Sequence, residues 1–299
     1  MLERLNDLLQ DKHGIHKVME DAGDRTDPAR KINVQARMDF AGSLVSDKKF
    51  DQATGECLWL WEHMLEHDDY LEFERMHFLP IIMVRLAEQF EPAQVAFTKL
   101  RDAARKEMDA GSEIRDVIFD WFTLCEILGD DDGILAWFDK TKHNHKNSDV
   151  ISHMDTSLFN LLVKHKRWAD TGFLEVVPVA RAQSSIDMNK RLFAMDQGDD
   201  QFDAEFNAMI AKTSNEELMK NLPQQYACCL AAELDEEAIQ IANIFLEYRD
   251  NPEARIALVQ WAMRANQPRK EQLQWLDDAA ENGRYVKALR QKVQDALAK

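Results

Sequence analysis

ARMDFAGSLVSDKKFDQATGECLWLWEHM, residues 36 to 64, decides the architecture. Phe40, Ala41, Leu44 and Val45 follow a helical period, Ser46-Asp47-Lys48-Lys49 breaks it, and Phe50, Ala53, Cys57, Leu58 and Trp61 resume it. That pattern predicts two helices folded against each other across a short turn. The small Ala41 and Ala53 let two backbones approach closely, and Leu44 and Phe50 have the bulk to fill the space beside them.

Outward from this hairpin, the same rhythm recurs. Residues 1–27 are expected to form a helical cap or leader, and Asp27-Pro28 pairs a cap acceptor with proline at the first helical position. Tyr70 to Gln89 reads as one run that Pro80 kinks or restarts, and Glu91-Pro92 opens the next helix. VIFDWFTLCEIL, Val117 to Leu128, is almost wholly apolar and must be buried on more than one face. Asp139 to Asp149 is the longest polar interruption and the natural joint in a domain expected to span residues 28–299. Beyond it, Pro223 to Ala232 is expected to pair with Glu236 to Tyr248, and Asn251-Pro252 starts another pair. No polar–apolar alternation is long enough for a strand.

The residue opening the second helix of each pair falls at Ala53, Ala93, Ala136, Thr171, Ala204, Ala238 and Gln272. The spacings are 40, 43, 35, 33, 34 and 34 residues, and the later ones match the period of a helix-turn-helix repeat. On these residues, with Ala41 in a first helix and Ala53/Cys57, Ala93/Phe97 and Ala238/Ala242/Phe245 in second helices, residues 28–299 resemble an irregular tetratricopeptide-like family. The chain departs from the family at Phe159 and Tyr226, where a small residue is expected, and at Thr171 and Gln272, which replace alanine. The resemblance implies an all-α solenoid of about six or seven stacked hairpins whose first helices line a concave groove. Carried onto this sequence, the implied lining is Gln35, Met38, Arg75, Phe78, Arg85, Asn160, Lys164, Asn189 and Phe193. The carboxylate clamp used by some family members does not transfer, because Met38 and Gly42 stand at the positions of its first-helix lysine and asparagine.

Composition narrows the function classes. With 54 Asp and Glu against 37 Lys and Arg, the net charge of −17 disfavours a nucleic-acid backbone as partner. No run suits a signal peptide or a membrane span, and Cys57, Cys125, Cys228 and Cys229 lie within apolar segments, so a cytoplasmic protein with reduced thiols is expected. Ten dispersed glycines supply no phosphate-cradling loop.

The expected function is a non-catalytic scaffold or adaptor, without cofactor, that binds a peptide or helix of another protein. Within the acidic chain, Lys140, Lys142, Lys146, Lys164, Lys166 and Arg167 concentrate positive charge, with His143, His145, His153 and His165 among them, and form a candidate anion patch. One alternative is a metal- or ligand-binding enzyme using His63, His67, Glu74 and His77, whose i, i+4 and i, i+3 spacings suit ligation. That set is incomplete, since a di-iron bundle needs a second Glu-x-x-His motif. A self-associating structural subunit is the other alternative.

Overall fold

The computed structural model describes residues 33–67, 71–110, 115–144, 148–174, 178–195, 201–279 and 283–299. The expected leader at residues 1–27 lies outside these. Among the described residues there are fifteen α-helices, one 3-10 helix and no strand, so the protein is all-α. The chain divides into two compact units, residues 1–140 and 141–299, and the division falls inside the polar stretch 139–149.

The first unit contains α1 (Val34–Ser46), α2 (Phe50–His67), α3 (Glu72–His77), α4 (Leu79–Gln89), α5 (Glu91–Asp109), α6 (Arg115–Leu128) and most of α7 (Asp131–Thr141). Asn33 starts α1, its Oδ1 accepting the Ala36 N–H at 3.0 Å. Ala41 and Ala53 are fully buried and α1 packs along α2. Pro80 restarts the chain, because α3 ends at His77 and α4 carries the proline in its first turn, where no N–H is missed. Helix α6 buries every residue from Trp121 to Cys125, as its sequence requires. One apolar core runs from Val34 on α1 to Ile127 on α6. Helices α1 and α4 touch, as do α4 and α6, and α2 touches α5.

The second unit contains α8 (Ser148–His153), α9 (Asp155–Lys164), the 3-10 helix Trp168–Phe173, α10 (Pro178–Met195), α11 (Gln201–Ala231), α12 (Asp235–Tyr248), α13 (Pro252–Arg264), α14 (Glu271–Asp278) and α15 (Gly283–Leu297). Pro223 does not open a helix. It sits inside α11, a continuous helix of 31 residues, about 46 Å long at 1.5 Å per residue. Tertiary packing on both sides of Pro223, with Leu222, Gln224, Gln225 and Tyr226 all buried, offsets the one backbone bond the proline cannot make. Helices α10 and α12 touch, as do α11 and α13, and α13 and α15. Of the residues aligned across the repeat, Ala93, Ala238 and Gln272 are fully buried like Ala53. Ala136 is exposed, Ile134, Leu135, Trp137 and Phe138 being the buried residues of α7, and Thr171 lies in the 3-10 helix.

Five hairpin turns share one geometry. The N–H of Lys49, Asp130, Arg167, Leu234 and Gln267 donates to the carbonyl five residues back, at 2.8–2.9 Å. The residue before each, namely Lys48, Gly129, Lys166, Glu233 and Asn266, has φ between 56° and 66° and donates to the carbonyl three residues back. These are Schellman caps, and only one uses glycine. Their left-handed residues are spaced by 81, 37, 67 and 33 residues, the first and third being close to double steps. No side chain crowds Gly129, so Gly129→Ala should cost only the left-handed backbone penalty, about 1 kcal/mol. Glu233→Gly should be neutral or stabilising for the converse reason. Urea midpoints check both, and a Gly129→Ala protein as stable as wild type would contradict the assignment.

Candidate functional site

On the first unit, α2 carries Trp59, His63 and His67 at successive four-residue steps, and both imidazoles lie against the indole at ring-centroid distances of 5.5 and 5.6 Å. Across the hairpin, the Arg37 guanidinium lies 3.8 Å from the Trp59 ring centroid and pairs with Glu56. His77 stacks on the exposed Phe73 at 4.3 Å and its Nδ1 is 3.0 Å from the Phe73 carbonyl. The imidazoles of His63, His67 and His77 are thus engaged by neighbours on their own helices. Among the described residues, no three of His, Cys, Asp and Glu come together as a metal-holding group. Glu74 has one oxygen buried without a hydrogen-bond partner.

The residues named for a groove separate into distinct environments. Gln35 and Asn160 are exposed, and Phe78 and Arg85 are half-buried. Met38 is 5% exposed and packs in the core, so it offers no surface. Asn189 is fully buried: its amide donates to Ser214 Oγ at 2.8 Å and its oxygen accepts the Tyr248 hydroxyl at 2.6 Å, fastening α10 to α11 and α12. Arg75 is also committed internally, donating through Nη1 and Nη2 to both Asp120 oxygens and through Nε to the Trp61 carbonyl. The side chain of Phe193 lies outside the described residues.

The basic cluster is partly neutralised from within. Lys142 reaches Asp170 Oδ1 at 2.8 Å, and Arg167 donates to Asp170 Oδ2 at 2.6 Å. Burial pushes the Asp170 carboxyl up, but the hydrogen bonds and charges of Lys142 and Arg167 outweigh it and hold the group below the usual range. The count of charges from Lys140 to Arg167 stops three residues short of this carboxylate, which is why the sequence overstates the patch. Lys140, Lys164 and Lys166 are exposed, Lys140 belonging to the first unit and the other two to the second. Lys146 lies outside the described residues.

All four cysteines are buried free thiols, and burial pushes each up to about 12, so they are protonated near neutrality. Sequence reasoning missed Asp120, Asp170 and the pairing of Tyr226 with Gln272, because each depends on a partner distant along the chain. No helix among the described residues is long and apolar enough to cross a membrane. No family model matches the chain, and neither the curated proteins nor the solved structures contain a match to it.

Proposed function

We propose that this is an irregular tetratricopeptide-like repeat protein, an adaptor rather than an enzyme, that holds a peptide or helix of another protein against its rows of first helices. The observation that carries this reading is the alternation of helix contacts. Several helices pack both on a sequence neighbour and on a helix further along, as α4 does on α5 and α6, α10 on α11 and α12, and α11 on α12 and α13. Stacking of this kind buries one side of each row and leaves the other available to a ligand. The recurring Schellman turns support the same repeat. Apart from Arg75, which Asp120 and the Trp61 carbonyl hold, Gln35, Phe78 and Arg85 in the first unit and Asn160 and Lys164 in the second are the exposed or half-buried members of the implied lining.

Hydrogen exchange with a partner captured from native extract tests the reading. Protection is expected on α1 and α4, and Arg85→Glu should weaken binding by about tenfold, as reversal of a contacting charge does. Protection on α2 and α5, with α1 and α4 unaffected, would overturn it.

A further inference from the structure

Apart from these surfaces, the second unit holds a pocket floored by α11 and walled by α9, the 3-10 helix and α10. Its empty volume is about 370 Å³, a figure that includes open solvent, so a ligand of a few heavy atoms would be only partly enclosed. Phe159, Leu174, Cys228 and Cys229 make its lining mainly apolar. Two oxygens on lining residues, Asp155 Oδ1 and Gln225 Oε1, are buried without a hydrogen-bond partner. Their residues are 5% and 7% exposed. Unpaired buried acceptors are costly, and native proteins carry few of them.

The guanidinium and hydroxyl donors of the described lining residues are already engaged. Arg181 donates from Nη1 to Asp155 Oδ2 at 3.2 Å and from Nη2 to Thr156 Oγ1 at 2.7 Å. The Thr171 hydroxyl donates to the Trp168 carbonyl at 2.7 Å. Beside the Gln225 NH₂ and the Cys228 and Cys229 thiols, which can donate, the pocket therefore presents two unpaired acceptor oxygens, one of them on a carboxylate, against apolar surface. An anion would meet the Asp155 carboxylate, whose own charge already engages Arg181. A cation without N–H groups would leave both oxygens unpaired.

We propose that this pocket binds a short primary alkylammonium ion, its N–H groups donating to Asp155 Oδ1 and Gln225 Oε1 and its chain lying on Phe159, Leu174 and the two cysteine sulfurs. An ammonium head supplies three donors and a charge complementary to the carboxylate. The pocket shares α9 with the implied groove but uses Asp155 and Phe159 rather than Asn160 or Lys164, and its test needs no protein partner, so neither reading depends on the other.

Calorimetric titration of the full chain with n-butylammonium is the test, with butyrate, tetramethylammonium and 1-butanol as comparators. Saturable binding of butylammonium is expected, with each comparator weaker by at least about tenfold, or 1.4 kcal/mol. Asp155→Asn should weaken it by a similar factor, because Arg181 would hold the amide oxygen and turn its NH₂ toward the ligand. Gln225→Met removes the second acceptor without touching an ion pair, and should also weaken binding at least about tenfold. Circular dichroism verifies that each variant is folded, and Gln225→Met decides the question if Asp155→Asn is not. Absence of saturable binding would mean that solvent alone satisfies the two oxygens, and the proposal fails. It fails equally if butyrate or tetramethylammonium binds as tightly, or if folded Gln225→Met binds like wild type.

Discussion

Tyr226→Ala is expected to destabilise the protein by about 3–5 kcal/mol, the range for emptying a large buried aromatic site. Tyr226 is fully buried in the core that joins α10, α11, α12 and α13. Its ring lies 5.7 Å from that of Trp275, and its hydroxyl accepts from Gln272 Nε2 at 3.1 Å. Gln272 is also fully buried and fully used, donating to the Gln267 carbonyl at 3.2 Å and accepting the Arg269 N–H at 3.1 Å. These are two of the positions at which the sequence departs from the repeat pattern, and they compensate each other: a large residue enters one helix and carries a hydroxyl that the polar residue on another helix satisfies. Tyr226→Phe should cost about 0.5–1.5 kcal/mol, since Gln272 keeps its other bonds, and Gln272→Leu about 1–3 kcal/mol, since it strands three polar groups. In the double variant the two costs should fall short of their sum, because the shared bond is lost only once. Urea midpoints at constant slope measure the cycle. Strict additivity would show that the hydroxyl and the amide do not interact in solution.

The hairpins were legible because helical periodicity is local: Ala41 and Ala53 lie twelve residues apart, and their burial follows from spacing alone. The turns were legible only in part. Gly129 announces a left-handed residue, whereas Lys48, Lys166 and Glu233 take the same conformation with side chains that give no such signal. Pro223 misled for a related reason, since a proline marks a helix start only when flanking packing does not hold the helix together. Asn189 looked like a surface polar residue, and its burial depends on Ser214 and Tyr248, 25 and 59 residues away. Asp155 and Gln225 had no legible relationship either, because the pocket they line is assembled from segments across the second unit.

Arg75→Met is expected to cost about 2–3 kcal/mol, between the values for an exposed ion pair and a fully buried one. The side chains of Arg75 and Asp120 are 11% and 27% exposed, and solvent screens the pair only partly. The guanidinium lies 4.2 Å from the Trp61 ring centroid, donates to the Trp61 carbonyl at 3.1 Å, and meets the Asp120 oxygens at 2.5 and 2.9 Å. One planar group thus fastens α3 to both α2 and α6. Methionine can keep contact with the indole but leaves the carboxylate and the carbonyl without their donors. Lysine should recover little, because an ammonium cannot reproduce the bidentate fork and the stack together. Asp120→Asn should fall between wild type and Arg75→Met, retaining one acceptor for the guanidinium. A residue serving mainly to contact a partner would behave otherwise, with Arg75→Met leaving the urea midpoint unchanged while partner affinity falls. That outcome would return Arg75 to the groove; a lowered midpoint that Arg75→Lys does not restore would fix it as the clamp of the first unit.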